Sequence, residues 1–162
     1  MRAEIINPFL QAASEVLESE LGSAPQRGAI GLQRSAYTSN EVTAVVAVTG
    51  EVAGMVMFAM AATTARAMVS KMMGQDFDEL DALAQSGIAE LGNVITGRAA
   101  VLLSEAGFTS ELAPPMLIVG RGTMISTLDV QRLVIPMETE LGSLEIQVAL
   151  KLTGAAAARR AA

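Results

Sequence analysis

Ser86, Glu90, Asn93 and Gly97 stand at i, i+4, i+7 and i+11 in the run Ser86-Gly-Ile-Ala-Glu-Leu-Gly-Asn-Val-Ile-Thr-Gly97. At 3.6 residues per turn they share one narrow stripe of a helix. Glu90 offers a carboxylate that accepts hydrogen bonds from a partner's ammonium group. Asn93 offers both an amide acceptor and an amide donor, so it can hold a water in line with a phosphorus atom, as a glutamine does in GTP hydrolysis. Ser86, one turn before Glu90, could fix that carboxylate's rotamer or touch the partner.

An exposed helix face carries polar residues in any case, and a Glu-x-x-Asn pair alone is a weak signal. The glycines strengthen it. Gly87, Gly92 and Gly97 fall inside one helix, and each costs about 1 kcal/mol relative to Ala. Asn is also a poor mid-helix residue. Unfavourable choices gathered in one place point to a function that offsets them. Ala84, Ile88, Leu91, Ile95 and Leu102 point the other way and are expected to face a core.

Composition narrows the chemistry. The 162 residues contain no Cys and no His, which excludes disulfides, thiol catalysis, thiolate metal sites and any Ser-His-Asp triad. The remaining repertoire is carboxylate, amide, hydroxyl, Lys and Arg. A net charge of −6 without a basic cluster argues against nucleic acid as partner. The N-terminal residues lack an uninterrupted apolar run, so no signal peptide is expected. The most apolar segment, Val52–Ala62, is too short for the roughly 20 residues of a membrane span. A cytoplasmic protein without membrane insertion is expected.

The elements that must carry the stripe follow from periodicity. Asn7-Pro8 reads as a cap and first turn of a helix running to Gly22. Residues 28–35 read as a strand, and Val42–Val48 and Met55–Met60 as a hairpin turned at Gly50–Gly54. Thr63 or Thr64 is expected to cap a short helix ending at Gly74. A long helix spans about Glu79–Glu105, and strands follow at Met116–Val119, Val130–Glu138 and Leu144–Leu152, the last two turned at residues 140–143. Residues 1–153 are expected to form one domain and 154–162 a flexible tail.

Glu4 and Asn7 lie 86 positions before Glu90 and Asn93, and each pair opens or occupies a helix that strands and a hairpin follow. Helix then hairpin, twice, predicts a pseudo-twofold α+β fold: two long helices and a short one packed on a mainly antiparallel sheet. Asn7 itself reads as a cap rather than a second functional amide. The Met residues at 55, 57, 60, 68, 72 and 73 read as core filling rather than a docking surface. Asp76, Asp78, Glu79 and Asp81 lack the spacing of a calcium loop and read as acids at a helix N-terminus.

Together these features resemble the CheC/CheX/FliY family of chemotaxis phosphatases. The family signature is Asp or Ser, three residues, Glu, two residues, Asn, then Pro a little over twenty residues on. It matches Ser86, Glu90, Asn93 and Pro114 or Pro115 here, the prolines falling one or two positions short. The Asn7-Pro8-Phe9 opening is similar to the CheX branch. The resemblance implies the CheC-like fold and hydrolysis of the aspartyl phosphate on a CheY-like response regulator. It implies that Asn93 orients the hydrolytic water and that Glu90 binds the regulator's lysine, with Ser86 and Gly97 against the partner. Mg²⁺ would belong to the regulator, this chain having no cofactor or metal of its own, and the active form would be a homodimer joined through sheet edges. A non-catalytic adaptor for a response regulator or flagellar switch component is the alternative. A dimeric interaction domain with no such partner is a third reading.

Overall fold

The computed structural model describes residues 3–33, 37–38, 40–127 and 130–159. Helix α1 (Ala3–Leu21) leads to three short strands, β1 (Gln26–Arg27), β2 (Gly31–Gln33) and β3 (Tyr37–Thr38), then to a hairpin of β4 (Val42–Gly50) and β5 (Val52–Met60). After α2 (Ala62–Met73) the same order returns. Helix α3 (Ala82–Glu105) leads to β6 (Ser110–Leu112), β7 (Met116–Val119) and β8 (Met124–Ile125), then to a hairpin of β9 (Arg132–Thr139) and β10 (Gly142–Leu152). A short α4 (Gly154–Arg159) follows.

The two hairpins meet through antiparallel pairing of β5 with β10, from Leu144 opposite Met60 to Leu152 opposite Val52. The sheet runs β1-β9-β10-β5-β4-β6, with β2 also on β9 and β7 also on β4. Each half thus sends its short strands across to the other half's hairpin, and β3 pairs with β8. The fold is α+β and pseudo-twofold, as the repeat at 86 positions predicts.

Alternation along the strands explains the helix layer. Val42, Ala44, Val46 and Val48 of β4, Val56, Phe58 and Met60 of β5, and Leu144, Ile146, Val148 and Leu150 of β10 are buried in one core with residues of α1, α2 and α3. Thr43, Met57, Ala59 and Gln147 on the opposite face are buried as well. A sheet covered on both sides gives continuous apolar runs, which is how β4 and β5 read in the sequence.

Several boundaries differ from expectation. Helix α1 has already begun by Ala3 and runs through Pro8, so Asn7 is a helical residue and not its cap. Pro8 lacks an N–H, yet the helix continues through it and the residue is buried. The cap of α2 is not Thr63 or Thr64. Ala61 stands there without a side-chain cap, and the carboxylate of Glu41, just before β4, accepts from the Ala62 N–H at 2.8 Å. Residues 28–35 contribute only the short β2 to the sheet, with 34 and 35 outside the described residues.

Gly54 belongs to β5 and not to the turn. A Cβ there would stand 2.0 Å from the Ala149 carbonyl oxygen, at φ +144°. The segment read as the start of a loose tail is held down as far as Arg159. Ala156 is buried, Thr153 bonds the Gly50 carbonyl at 2.8 Å, and Arg159 pairs with Glu51.

Candidate functional site

Helix α3 starts at Ala82 because Asp81 caps it, its side chain accepting from the Ala84 N–H at 2.8 Å. The helix ends where Gly107, at φ +85°, turns the chain and donates to the Ser104 carbonyl at 3.0 Å. Ala84, Ile88, Leu91, Ile95, Ala99 and Leu103 are buried, and Leu102 packs half-buried against them. This burial sets the rotation of the helix and turns the predicted stripe outward.

Ser86 and Glu90 are exposed, and Asn93 and Gly97 are half-buried. The Asn93 amide nitrogen lies 3.4 Å from a Glu90 carboxylate oxygen. That is longer than a good N–H···O bond, so both groups keep hydrogen-bonding capacity for another molecule. Ser86 does not orient Glu90. Its hydroxyl donates to the Ala82 carbonyl of its own helix at 2.9 Å.

The glycines divide. A Cβ on Gly87 would stand 2.5 Å from Val69 Cγ2 and 2.8 Å from Met73 Cε, both on α2. One on Gly92 would stand 3.0 Å from the Phe58 ring and 3.4 Å from Ala44, on the sheet beneath. Packing therefore accounts for these two, a correction to the reading of all three as functional. At Gly97 a Cβ meets nothing within 4 Å. The fold leaves the glycine at 97 unexplained.

Glu4 and Asn7 are both exposed and stand one turn apart on α1. They repeat the spacing of Glu90 and Asn93 but not the surroundings. Counting back 86 positions from Gly97 and Val101 gives Gln11 and Glu15. Gln11 donates to Glu15 at 2.7 Å, and Arg98 of α3 reaches across to Glu15 at 2.6 Å. The Arg98 hydrogen bond, with that from Gln11, holds the Glu15 carboxyl below its ordinary value. The place on α1 that corresponds to the opening at Gly97 is thus occupied by the Gln11 and Glu15 side chains.

Pro114 and Pro115 separate β6 from β7. Both strands run along β4, β6 against Val48–Gly50 and β7 against Val42–Val45. Two residues without N–H groups interrupt what would otherwise be one strand. Both strands lie against α3.

The reading of the polar stripe passes over three apolar neighbours. Leu83, Val94 and Val101 are exposed on α3, at i, i+11 and i+18, within about 20° of one another and beside Glu90. That spacing was the available signal. Among the described residues no group of three or more acids converges as metal ligands would, and no helix is long and apolar enough to cross a membrane.

Comparison with known proteins agrees with this geometry. A family profile described as "Chemotaxis phosphatase CheX" matches residues 42–138. The CheY-P phosphatase CheX of Thermotoga maritima is 30% identical over 131 residues, covering 80% of this chain and 84% of that protein. A crystal structure of a chemotaxis protein CheX from Desulfovibrio desulfuricans superposes with a TM-score of 0.80 at 30% identity, covering 93% of this chain and 99% of that one. The CheX chain in a CheX–CheY–BeF₃–Mg²⁺ complex from Borrelia burgdorferi superposes with a TM-score of 0.81 at 28% identity, with the same coverage. The family profile over residues 42–138 and the 30% identity to a CheX across 80% of the chain, on a shared α+β fold, make the chain a member of the CheX family of chemotaxis phosphatases.

Proposed function

We propose that this protein dephosphorylates the aspartyl phosphate of a CheY-like response regulator, with Asn93 and Glu90 as the two groups that enter the regulator's site. The observation that carries the reading is the pair itself. Glu90 and Asn93 stand side by side, one turn apart, on the outward face of the long helix, with their polar atoms 3.4 Å apart. The relative from Borrelia burgdorferi, a CheX in complex with CheY, BeF₃ and Mg²⁺, supports the choice of partner.

The chemistry needs little from this chain. The water oxygen attacks phosphorus, the bond from phosphorus to the aspartyl oxygen breaks, and inorganic phosphate leaves a free carboxylate behind. The Asn93 amide accepts from the water and holds it in line, so that part of the entropic cost is met before the reaction starts. Glu90 accepts from the regulator's lysine and fixes the register of the two proteins. Ser86 and Gly97 lie against the partner. Mg²⁺ sits in the regulator beside the phosphate, and this chain holds no metal of its own.

The working form is a cytoplasmic homodimer joined through sheet edges. Support for the dimer comes from the edge strand β2, where Leu32 is exposed and Ile30 stands exposed just before it.

The test is phosphate release from a phosphorylated CheY-type receiver with Mg²⁺, with and without this protein and its Asn93→Ala variant. Acceleration that the variant loses supports the reading. Binding without acceleration by the unaltered protein replaces it with an adaptor.

A further inference from the structure

We infer that Leu83, Val94 and Val101, with the notch at Gly97 between the two valines, form an apolar docking rail for the phosphorylated receiver and set its affinity. This rests on the proposed phosphatase reading and extends it to residues outside the Ser-x₃-Glu-x₂-Asn pattern. Leu83 is 52% exposed, Val94 40% and Val101 49%, all on one arc of α3. Among the described residues α1, also a long helix packed on the same sheet, exposes no large hydrophobic side chain. The positions on α1 that correspond to 94, 97 and 101 are Pro8, which is buried, and Gln11 and Glu15, which bond each other. The pseudo-twofold fold therefore does not demand an apolar row or a glycine there. Only α3 carries them.

Charge selects the occupant. Glu90 lies on the same arc, between Leu83 and Val94. Any surface that covers the apolar row also removes Glu90 from water, and a desolvated carboxylate needs a cation or several donors. A receiver that presents a lysine beside its phosphate, with an apolar rim around it, meets both requirements. A second copy of this chain docked through the row about a twofold axis would bury two Glu90 carboxylates, and the nearby cation of α3, Arg98, is already held by Glu15, which opposes association. The absent Cβ at 97 lets the partner's backbone approach between Val94 and Val101. The apolar rim then excludes bulk water from around the Glu90 and Asn93 contacts.

The Val94→Thr/Val101→Thr double variant tests this, because it keeps side-chain shape and removes apolar surface at exposed positions. Phosphate release is measured against a range of phosphorylated CheY-type receiver concentrations with Mg²⁺, beside the unaltered protein and Asn93→Ala. We expect KM to rise about 10-fold while kcat stays within about twofold, and Val94→Ile/Val101→Ile to hold KM near that of the unaltered protein. If the unaltered protein accelerates release, Asn93→Ala does not, and the Thr variant keeps KM, the rail is overturned and the phosphatase reading stands. If the Thr variant instead loses self-association in sedimentation with KM unchanged, the row is an interface between copies. If the unaltered protein accelerates no receiver, both ideas fall together.

Discussion

Single side chains on α3 separate chemistry from packing. Asn93→Ala removes one positioned group, and loss of such a group typically costs 10²- to 10³-fold in rate. We expect a loss of about that size in phosphate release, read at saturating receiver, with the melting temperature unchanged because the amide is not part of the core. Glu90→Gln should raise KM more than it lowers kcat. The three helix glycines make opposite predictions in thermal unfolding. Gly97→Ala meets open space and should stabilise the helix by about 1 kcal/mol, yet weaken engagement of the receiver in the release assay. Gly87→Ala drives a methyl into Val69 and should destabilise by about 1–3 kcal/mol, while Gly92→Ala needs the buried Phe58 ring to give way and should show none of the stabilisation expected at Gly97. A stabilised Gly92→Ala would contradict the close approach of α3 to the sheet.

At the scale of elements, a few contacts between them define how the pieces seat. Glu41, just before β4, accepts from the first N–H of α2, and Glu51 in the β4–β5 turn accepts from the Thr109 N–H before β6 at 2.9 Å. These backbone donors hold both carboxyls below their ordinary value of 4.5. A carboxylate with a depressed folded pKa contributes stability that is present above its unfolded pKa and is lost as pH falls through the folded value. Thermal stability should therefore hold above about pH 4.5 and decline below it. Glu41→Gln should flatten that decline and lower stability at neutral pH, as followed by circular dichroism melts across pH. Gly54 of β5 leaves no room for a side chain beside the Ala149 carbonyl of β10. Gly54→Ala should destabilise by about 3 kcal/mol, since the added methyl overlaps a backbone oxygen that the sheet holds in place.

For the whole molecule, the crossed short strands make the two halves interdependent. Strands β1 and β2 complete the second hairpin, while β6 and β7 complete the first, so neither half closes its own sheet. One helix of the pseudo-symmetric pair keeps an apolar row and an open glycine, and the other has Gln11, Glu15 and the Arg98 contact in the equivalent place. The exposed edge at β2 carries the assembly prediction. Leu32→Lys should shift a dimer to monomer in sedimentation equilibrium, with the melting of the chain itself retained, because Lys at a sheet edge opposes edge-to-edge pairing.

The chain's residues by themselves determined the order of the main helices and hairpins, the antiparallel α+β class, the repeat, and the stripe of Ser86, Glu90, Asn93 and Gly97. These are local patterns, and a helix period or an alternating strand is visible wherever one face is buried. Tertiary structure decided what depends on neighbours distant in the sequence. Gly87 and Gly92 look functional until Val69, Met73 and Phe58 are seen against them. Asn7 looks like a cap until α1 is seen to start before it, and Gly54 looks like a turn until Ala149 is found beside it. The cap of α2 comes from Glu41, 21 positions earlier. Spacing along a chain encodes which residues share a face. Which face meets another element, and at what distance, is set only when the whole core closes.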